Sequence, residues 1–129
     1  MDYYFSKILT GTSFKQAIER ITQTLKEEGF GILTEIDIKT TLKKKLDVDF
    51  PDYKILGACN PEFAYKALLA EDKIGTMLPC NVIVRKTASG NIEVAAVDPA
   101  ASMMGVENEA LAKIAEEVRN KMKRAVANL

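Results

Sequence analysis

Two apolar segments, residues 80–86 and 92–97, are separated by a turn that reverses the chain. The turn contains Ala88-Ser89-Gly90-Asn91, whose Gly-Asn pair supplies the positive φ angles of a tight hairpin. Strands joined this closely pair antiparallel, because parallel neighbours need a crossover of about a dozen residues or more. The hairpin therefore excludes a purely parallel sheet.

Hydrophobic spacing predicts three further strands and two long helices around this hairpin. The strands are residues 2–9, 30–36 and 53–59. The first long helix begins at Ser13, which forms a capping-box pair with Gln16, and ends near Gly29. The second runs from about Asn108 to the end of the chain. We expect the Tyr and Phe residues of the first strand to lie in the core.

Shorter helices are predicted in the connections, because three positions combine a capping residue with a helical pattern. Asp37 caps a helix that ends at Leu46, and Asn60-Pro61 is an N-cap followed by a first-turn proline. Asp98-Pro99 repeats that arrangement and predicts one helical turn. Residues 74–78 form an apolar connector that Pro79 interrupts, either irregular or a parallel strand.

The resulting order is β-α-β-(α)-β-(α)-β-β-α. It predicts an α+β fold with a mostly antiparallel five-stranded sheet and two long helices packed on one face. A chain of 129 residues has the length of one domain, so residues 1–129 are expected to form a single unit.

Charge balance limits the partners of this chain. Eighteen Lys and Arg residues offset 18 Asp and Glu residues, which argues against nucleic-acid binding and against docking on an anionic membrane. The N-terminal Met1-Asp2-Tyr3-Tyr4-Phe5 lacks the basic and apolar regions of a signal peptide. We therefore expect a cytoplasmic protein with reduced cysteines.

The two cysteines stand in Cys59-Asn60-Pro61 and Pro79-Cys80-Asn81, in a chain without histidine or tryptophan. Either pairing of the strands around them brings both thiols to one end of the sheet. Free cysteine commonly packs as a small hydrophobe. The alternative is a reactive pair, with the helix that begins after Cys59 lowering its pKa. A third interpretation is contact with a ligand or a metal, but two thiolates are a poor ligand set for zinc, so we predict no metal and no cofactor.

The acidic candidates are Glu35, Asp37 and Asp98. Glu35 and Asp37 share one side of a strand end, where paired carboxylates can transfer protons or hold a hard cation. Asp37 and Asp98 also occupy capping positions, which explains them structurally. Glu35 is the least explained of the three because its strand is otherwise apolar.

Four ordered motifs resemble those of the bacterial and archaeal domain of unknown function numbered 302. They are Gly31-Ile32-Leu33-Thr34-Glu35-Ile36-Asp37, Lys54-Ile55-Leu56-Gly57-Ala58-Cys59-Asn60-Pro61, Leu78-Pro79-Cys80-Asn81-Val82 with Val84, and Val97-Asp98-Pro99. The resemblance covers nearly the whole chain. It implies a fold similar to the TATA-binding-protein-like α+β class, without implying DNA binding or any activity.

Three functional hypotheses remain. Apolar residues on both faces of strands three to five exceed what one helix layer covers, which favours a non-enzymatic module. Such a module would bind a small apolar ligand or a protein on the uncovered face, with the Cys/Asn end, including Asn81, as its polar rim. The alternative is thiol-dependent redox or covalent activity at Cys59 and Cys80. The third is homodimerisation through the same face or through Met103-Met104. We found no catalytic motif.

Overall fold

A computed structural model describes residues 2–129 of the chain; Met1, part of the segment compared above with signal peptides, lies outside this range. The strands are β1 (Tyr4–Leu9), β2 (Gly31–Asp37), β3 (Tyr53–Cys59), β4 (Cys80–Lys86) and β5 (Ile92–Val97). The helices are α1 (Phe14–Glu27), α2 (Ile38–Leu46), α3 (Pro61–Ala70), α4 (Pro99–Ser102) and α5 (Glu109–Ala127). The predicted α+β class and order of elements are confirmed.

All five strands form one antiparallel sheet in the order β1-β5-β4-β3-β2. The hairpin between β4 and β5 closes as predicted, with Gly90 at φ 87° and the Thr87 amide donating to the Asn91 carbonyl at 2.8 Å. The connector between α3 and β4 contains a 3₁₀ helix, Ile74–Met77. The interpretation of this connector as a parallel strand is therefore wrong.

Local capping chemistry explains where α1 begins and ends. The Gln16 amide donates to Ser13 Oγ at 3.1 Å, and the Ser13 amide donates to Gln16 Oε1 at 3.0 Å, which completes the capping box. Gly29 has a φ of 88°, a left-handed conformation that favours glycine after a helix. These interactions involve close sequence neighbours, which is why the sequence predicts them.

The main core lies between one face of the sheet and helices α1 and α5. We call this the covered face; its buried side chains are Leu56, Ala58, Cys80, Val82, Val84, Val94 and Ala96. The buried helix residues that pack on it are Ala17, Ile21 and Leu25 from α1 and Val118, Met122, Ala125 and Val126 from α5. The apolar stripes of the two long helices therefore bury against a single side of the sheet.

A second, smaller cluster joins α3, α4 and the 3₁₀ helix to the beginning of α5. Its buried members are Ala67, Ile74, Met103, Leu111 and Ala115. The Met103-Met104 pair divides here, because Met103 is buried while Met104 is exposed. This cluster places α3 beside the sheet end where β3 finishes and β4 starts.

Candidate functional site

Cys59 and Cys80 lie at the same end of the sheet, where β3 ends and β4 begins. The antiparallel register places Cys80 directly opposite Ala58, the residue before Cys59. Both cysteines line a cavity of about 30 Å³ whose other walls include Phe63, Ala67 and Met103. A space of this size holds about one water molecule, so this cavity has no room for an organic ligand.

The pleat separates the two thiols. Cys80 shares the covered face with Ala58, whereas Cys59 follows Ala58 along the strand and so belongs to the opposite side. Burial raises the pKa of Cys59, and burial together with the nearby Cys59 raises the pKa of Cys80 to about 11. The expected lowering of the Cys59 pKa by the α3 terminus is therefore wrong, because desolvation raises that pKa.

Asn60 occupies the N-cap position of α3, but its side chain makes no capping hydrogen bond there. Its Nδ2 instead donates to the Glu28 carbonyl at 3.2 Å, beyond the last residue of α1. A Cβ on Gly29 would stand 2.9 Å from that nitrogen. The explanation of Asn60 as a side-chain cap is wrong, since the amide connects two helices that are distant in sequence.

The acidic candidates do not form one site. Asp37 caps α2 by accepting from the Thr40 amide at 3.0 Å, and this backbone hydrogen bond lowers its pKa. Glu35 pairs with Lys54 at 3.5 Å on the exposed edge. Asp98 lies at the opposite end of the sheet, because it follows the β5 residue that pairs with Tyr4, whereas Asp37 pairs with Lys54 near the start of β3.

Asp98 is a buried structural carboxylate. It accepts from the Ala100 amide at 3.0 Å and from Arg119 Nε at 3.1 Å. The Arg119 guanidinium also lies over the Phe5 ring at 5.3 Å. Sequence reasoning missed Arg119, because it stands 21 residues from Asp98 in a helix whose outer face is charged throughout.

Among residues 2–129, no group of three or more His, Cys, Asp or Glu side chains could hold a metal ion. The two cysteines and Asp98 thus lie at one end of the sheet, where β3 and β5 end and β4 begins, whereas Glu35 and Asp37 lie on β2 towards the other end. A further accessible groove lies on the side of the sheet that α1 and α5 leave uncovered.

We call this second side of the sheet the open face. By alternation and register it comprises Thr34 and Ile36 of β2, Tyr53, Ile55 and Gly57 of β3, Asn81, Ile83 and Arg85 of β4, Glu93, Ala95 and Val97 of β5, and Tyr4, Ser6 and Ile8 of β1. Its side chains are mostly half-buried or exposed.

A groove of about 450 Å³ runs across the open face, and we call it the tyrosine groove. It is lined by Tyr3, Tyr4, Tyr53, Asn81, Ile83, Arg85, Glu93, Ala95, Ala96 and Val97. Tyr3 is 68% exposed, so the expectation that the first-strand aromatic residues are core is wrong for this residue and for its neighbour Tyr4. Phe5, on the other side of β1, does pack against the core.

The polar groups of the tyrosine groove are few. Arg85 Nε donates to Glu93 Oε1 at 2.7 Å across the hairpin, so the two charges neutralise each other. Asn81 contributes an exposed amide at the other side of the groove. Strict alternation along β4 and β5 is the sequence signal that could have assigned these residues to one face.

Comparison with known proteins identifies relatives but no activity. The family model described as "Domain of unknown function DUF302" matches residues 5–129. A crystal structure of an uncharacterized conserved protein DUF302 from Bacillus stearothermophilus is 26% identical, covers 99% of this chain and 98% of that chain, and superposes with a TM-score of 0.91. No curated protein matches. None of the helices in residues 2–129 has the length and hydropathy to span a bilayer.

Proposed function

Because the chain belongs to the DUF302 family, whose name specifies a domain and no activity, we propose a function from the geometry: a non-enzymatic module that binds a small, largely apolar molecule in the tyrosine groove. The observation that carries this proposal is the groove itself, about 450 Å³ across an apolar sheet face. Ligand sites in proteins typically enclose about 300–1,000 Å³ and combine apolar walls with a few polar groups.

The lining of the groove supports an apolar or aromatic ligand. Tyr3 and Tyr4 stand at one end, where their rings meet edge to face at 5.0 Å, and Tyr53 stands at the other. Ala95 and Ile83 form the floor between them. Aromatic walls over a small aliphatic floor suit a flat molecule, because tyrosine offers a large apolar surface with few side-chain torsions to immobilise.

The charges of the groove favour an uncharged ligand. Arg85 and Glu93 already pair with each other at 2.7 Å, so a charged group would have to compete with an existing partner. The remaining guanidinium N–H groups, the outer Glu93 oxygen and the Asn81 amide can still orient a neutral polar substituent. We therefore assign the polar rim to these three residues, of which only Asn81 belongs to the predicted Cys/Asn end.

The thiol-dependent alternative has weaker support. Cys59 and Cys80 start from opposite faces of the sheet, and the pKa of each is raised by burial. A nucleophilic or redox cysteine needs an accessible thiolate at neutral pH. Cys80 is buried with its pKa raised to about 11, and the raised pKa of the partly exposed Cys59 also favours its neutral form.

Titration with Nile red, a neutral apolar dye, tests the proposal. Tyr53→Ala removes one wall of the groove and should weaken binding about tenfold, since an aromatic contact contributes roughly 1–2 kcal/mol. Tyr65→Ala is the matched control, because Tyr65 is an exposed tyrosine on α3 outside the groove. The proposal fails if the dye does not bind, or if Tyr65→Ala weakens binding while Tyr53→Ala leaves it unchanged.

A further inference from the structure

The open face carries an apolar band across its whole width. The register aligns Ser6, Ala95, Ile83, Ile55 and Ile36 in one row, one residue from each strand in sheet order. Four of these five side chains are aliphatic. At the edge strands the apolar surface is most accessible, with Ile36 46% and Ile8 49% exposed.

Within residues 2–129 the tyrosine groove has a floor and end walls but no roof. Its residues come from β1, β3, β4 and β5, apart from Tyr3, which precedes β1, so the sheet supplies almost the whole lining. A small ligand lying on a sheet would keep one side in water, whereas ligand sites usually bury most of the ligand surface. Among the described residues of one copy, the site is therefore incomplete.

We propose that a second copy of this chain packs its open face against the first, so that two five-stranded sheets enclose the tyrosine grooves between them. The inference deepens the proposed function by naming what closes the site. Face-to-face sheets pack about 10 Å apart with their strands roughly 30° off parallel, and such an interface is isologous, with the same surface on both copies.

The size of the open face is sufficient for this interface. Five strands of six or seven residues, about 4.8 Å apart and rising about 3.3 Å per residue, present a flat area of roughly 500 Å² per copy. Two copies would bury about 1,000 Å² before side-chain relief is counted. That value reaches the lower bound for a specific protein interface, about 1,000 Å².

The charges of the chain also permit self-association. Lys and Arg equal Asp and Glu at 18 each, so two copies carry no net repulsion. Among the open-face residues that the structure describes, the charged ones are Arg85 and Glu93, which form an ion pair within one copy. Packing this face against itself therefore leaves both of these charges partnered, a condition that a dry interface requires.

Sedimentation equilibrium of the full chain over a wide concentration range tests the inference. The wild-type protein should be a dimer, and Ile83→Asp should raise the dimer dissociation constant at least about 100-fold by placing a charge in the apolar band. Leu69→Asp is the matched control: Leu69 is 70% exposed on α3, away from the open face, and its variant should remain dimeric. A monomeric wild type overturns the inference, and so does a dimer that Leu69→Asp breaks and Ile83→Asp does not.

Ser6→Arg provides a second variant in case Ile83→Asp does not fold. Ser6 is exposed within the same row, so an arginine there stays solvated in the monomer and becomes buried only at the interface. Circular dichroism confirms folding, and a folded Ser6→Arg protein that stays dimeric overturns the inference.

Nile red binding separates this inference from the proposed function. If the wild-type protein is a dimer that binds no dye, the result supports the interface and contradicts the ligand site. If the wild-type protein is a monomer that binds the dye, and Tyr53→Ala weakens that binding, the result supports the ligand site and contradicts its closure by a second copy.

Discussion

The two faces of the sheet are formed by the same strands but differ in how deeply their side chains are buried. In β4, Val82 and Val84 are fully buried beneath the helices, while Ile83 between them faces the tyrosine groove. In β3, Leu56 is buried and its neighbour Ile55 is half-buried. Both faces are apolar, so hydrophobicity alone does not tell them apart. The covered face has α1 and α5 packed against it, which makes it the main source of stability, whereas these two helices leave the open face uncovered.

The largest expected effect on stability comes from comparing substitutions at two neighbouring residues of β3, one on each face. Leu56→Ala should destabilise the fold by about 2–5 kcal/mol, because it leaves a cavity beneath the helices. Ile55→Ala, on the open face, should cost less than about 1 kcal/mol in the dissociated chain. Urea unfolding at low protein concentration measures both. Equal losses would show that the open face is as well packed as the covered one.

At Gly57 the open face is packed tightly by the chain itself. A Cβ at this position would stand 2.7 Å from Pro79 Cγ and would also overlap the Thr34 hydroxyl. Gly57→Ala should therefore destabilise by about 1–3 kcal/mol through overpacking. Gly31→Ala is the control, since nothing lies within 4 Å of its position and its φ is not positive. A stable Gly57→Ala variant would mean that Thr34 and Pro79 can move away.

A third comparison sets the capping aspartates at opposite ends of the sheet against each other. Asp98→Ala removes a cap and leaves Arg119 without its buried partner, at a cost of about 2 kcal/mol. Asp37→Ala removes only an exposed cap and should cost about 1 kcal/mol. Thermal unfolding ranks the two variants. The reverse order would show that the Asp98–Arg119 pair contributes nothing net.

We expect Cys59 and Cys80 to react slowly or not at all with thiol reagents at neutral pH. With its pKa raised to about 11, the Cys80 thiol should not react with an aromatic disulfide reagent in the folded protein at neutral pH. Cys59, less deeply buried, should react slowly, and the rate should rise with pH. Cys59→Ser should abolish this reaction with little change in stability. Rapid labelling of both thiols at neutral pH would restore the thiol-dependent hypothesis.

The smallest expected effect is the acid response of Asp37. Its pKa is lowered in the folded state, chiefly by the Thr40 amide, so the charged form stabilises folding above the ordinary value of 3.8. This contribution is lost as the pH falls below about 4 through the folded pKa. Asp37→Asn keeps a capping oxygen without the charge, so the stability difference from wild type should shrink in acid. A constant difference would contradict the proposed role of the carboxylate.

Interactions between residues close in sequence could be predicted, whereas those between residues distant in sequence could not. The capping box of Ser13, the Gly90 hairpin and the Asp37 and Asp98 caps join residues within four positions, and all were predictable. The family resemblance and the α+β class were confirmed as well. Arg119 beside Asp98 and the Asn60 amide on Glu28 join residues 21 and 32 positions apart, and no local pattern indicates them.

The main strands and helices, their order and the antiparallel hairpin can be inferred from the sequence, because each depends on backbone preferences and hydrophobic periods within a few residues. Tertiary structure decided which apolar face the helices cover. The packing therefore also decided that the tyrosines line a groove and that burial raises the pKa of both cysteines. Which face is covered depends on how α1 and α5 pack across the whole sheet. The alternation of side chains within a strand does not distinguish the two faces, because both are apolar.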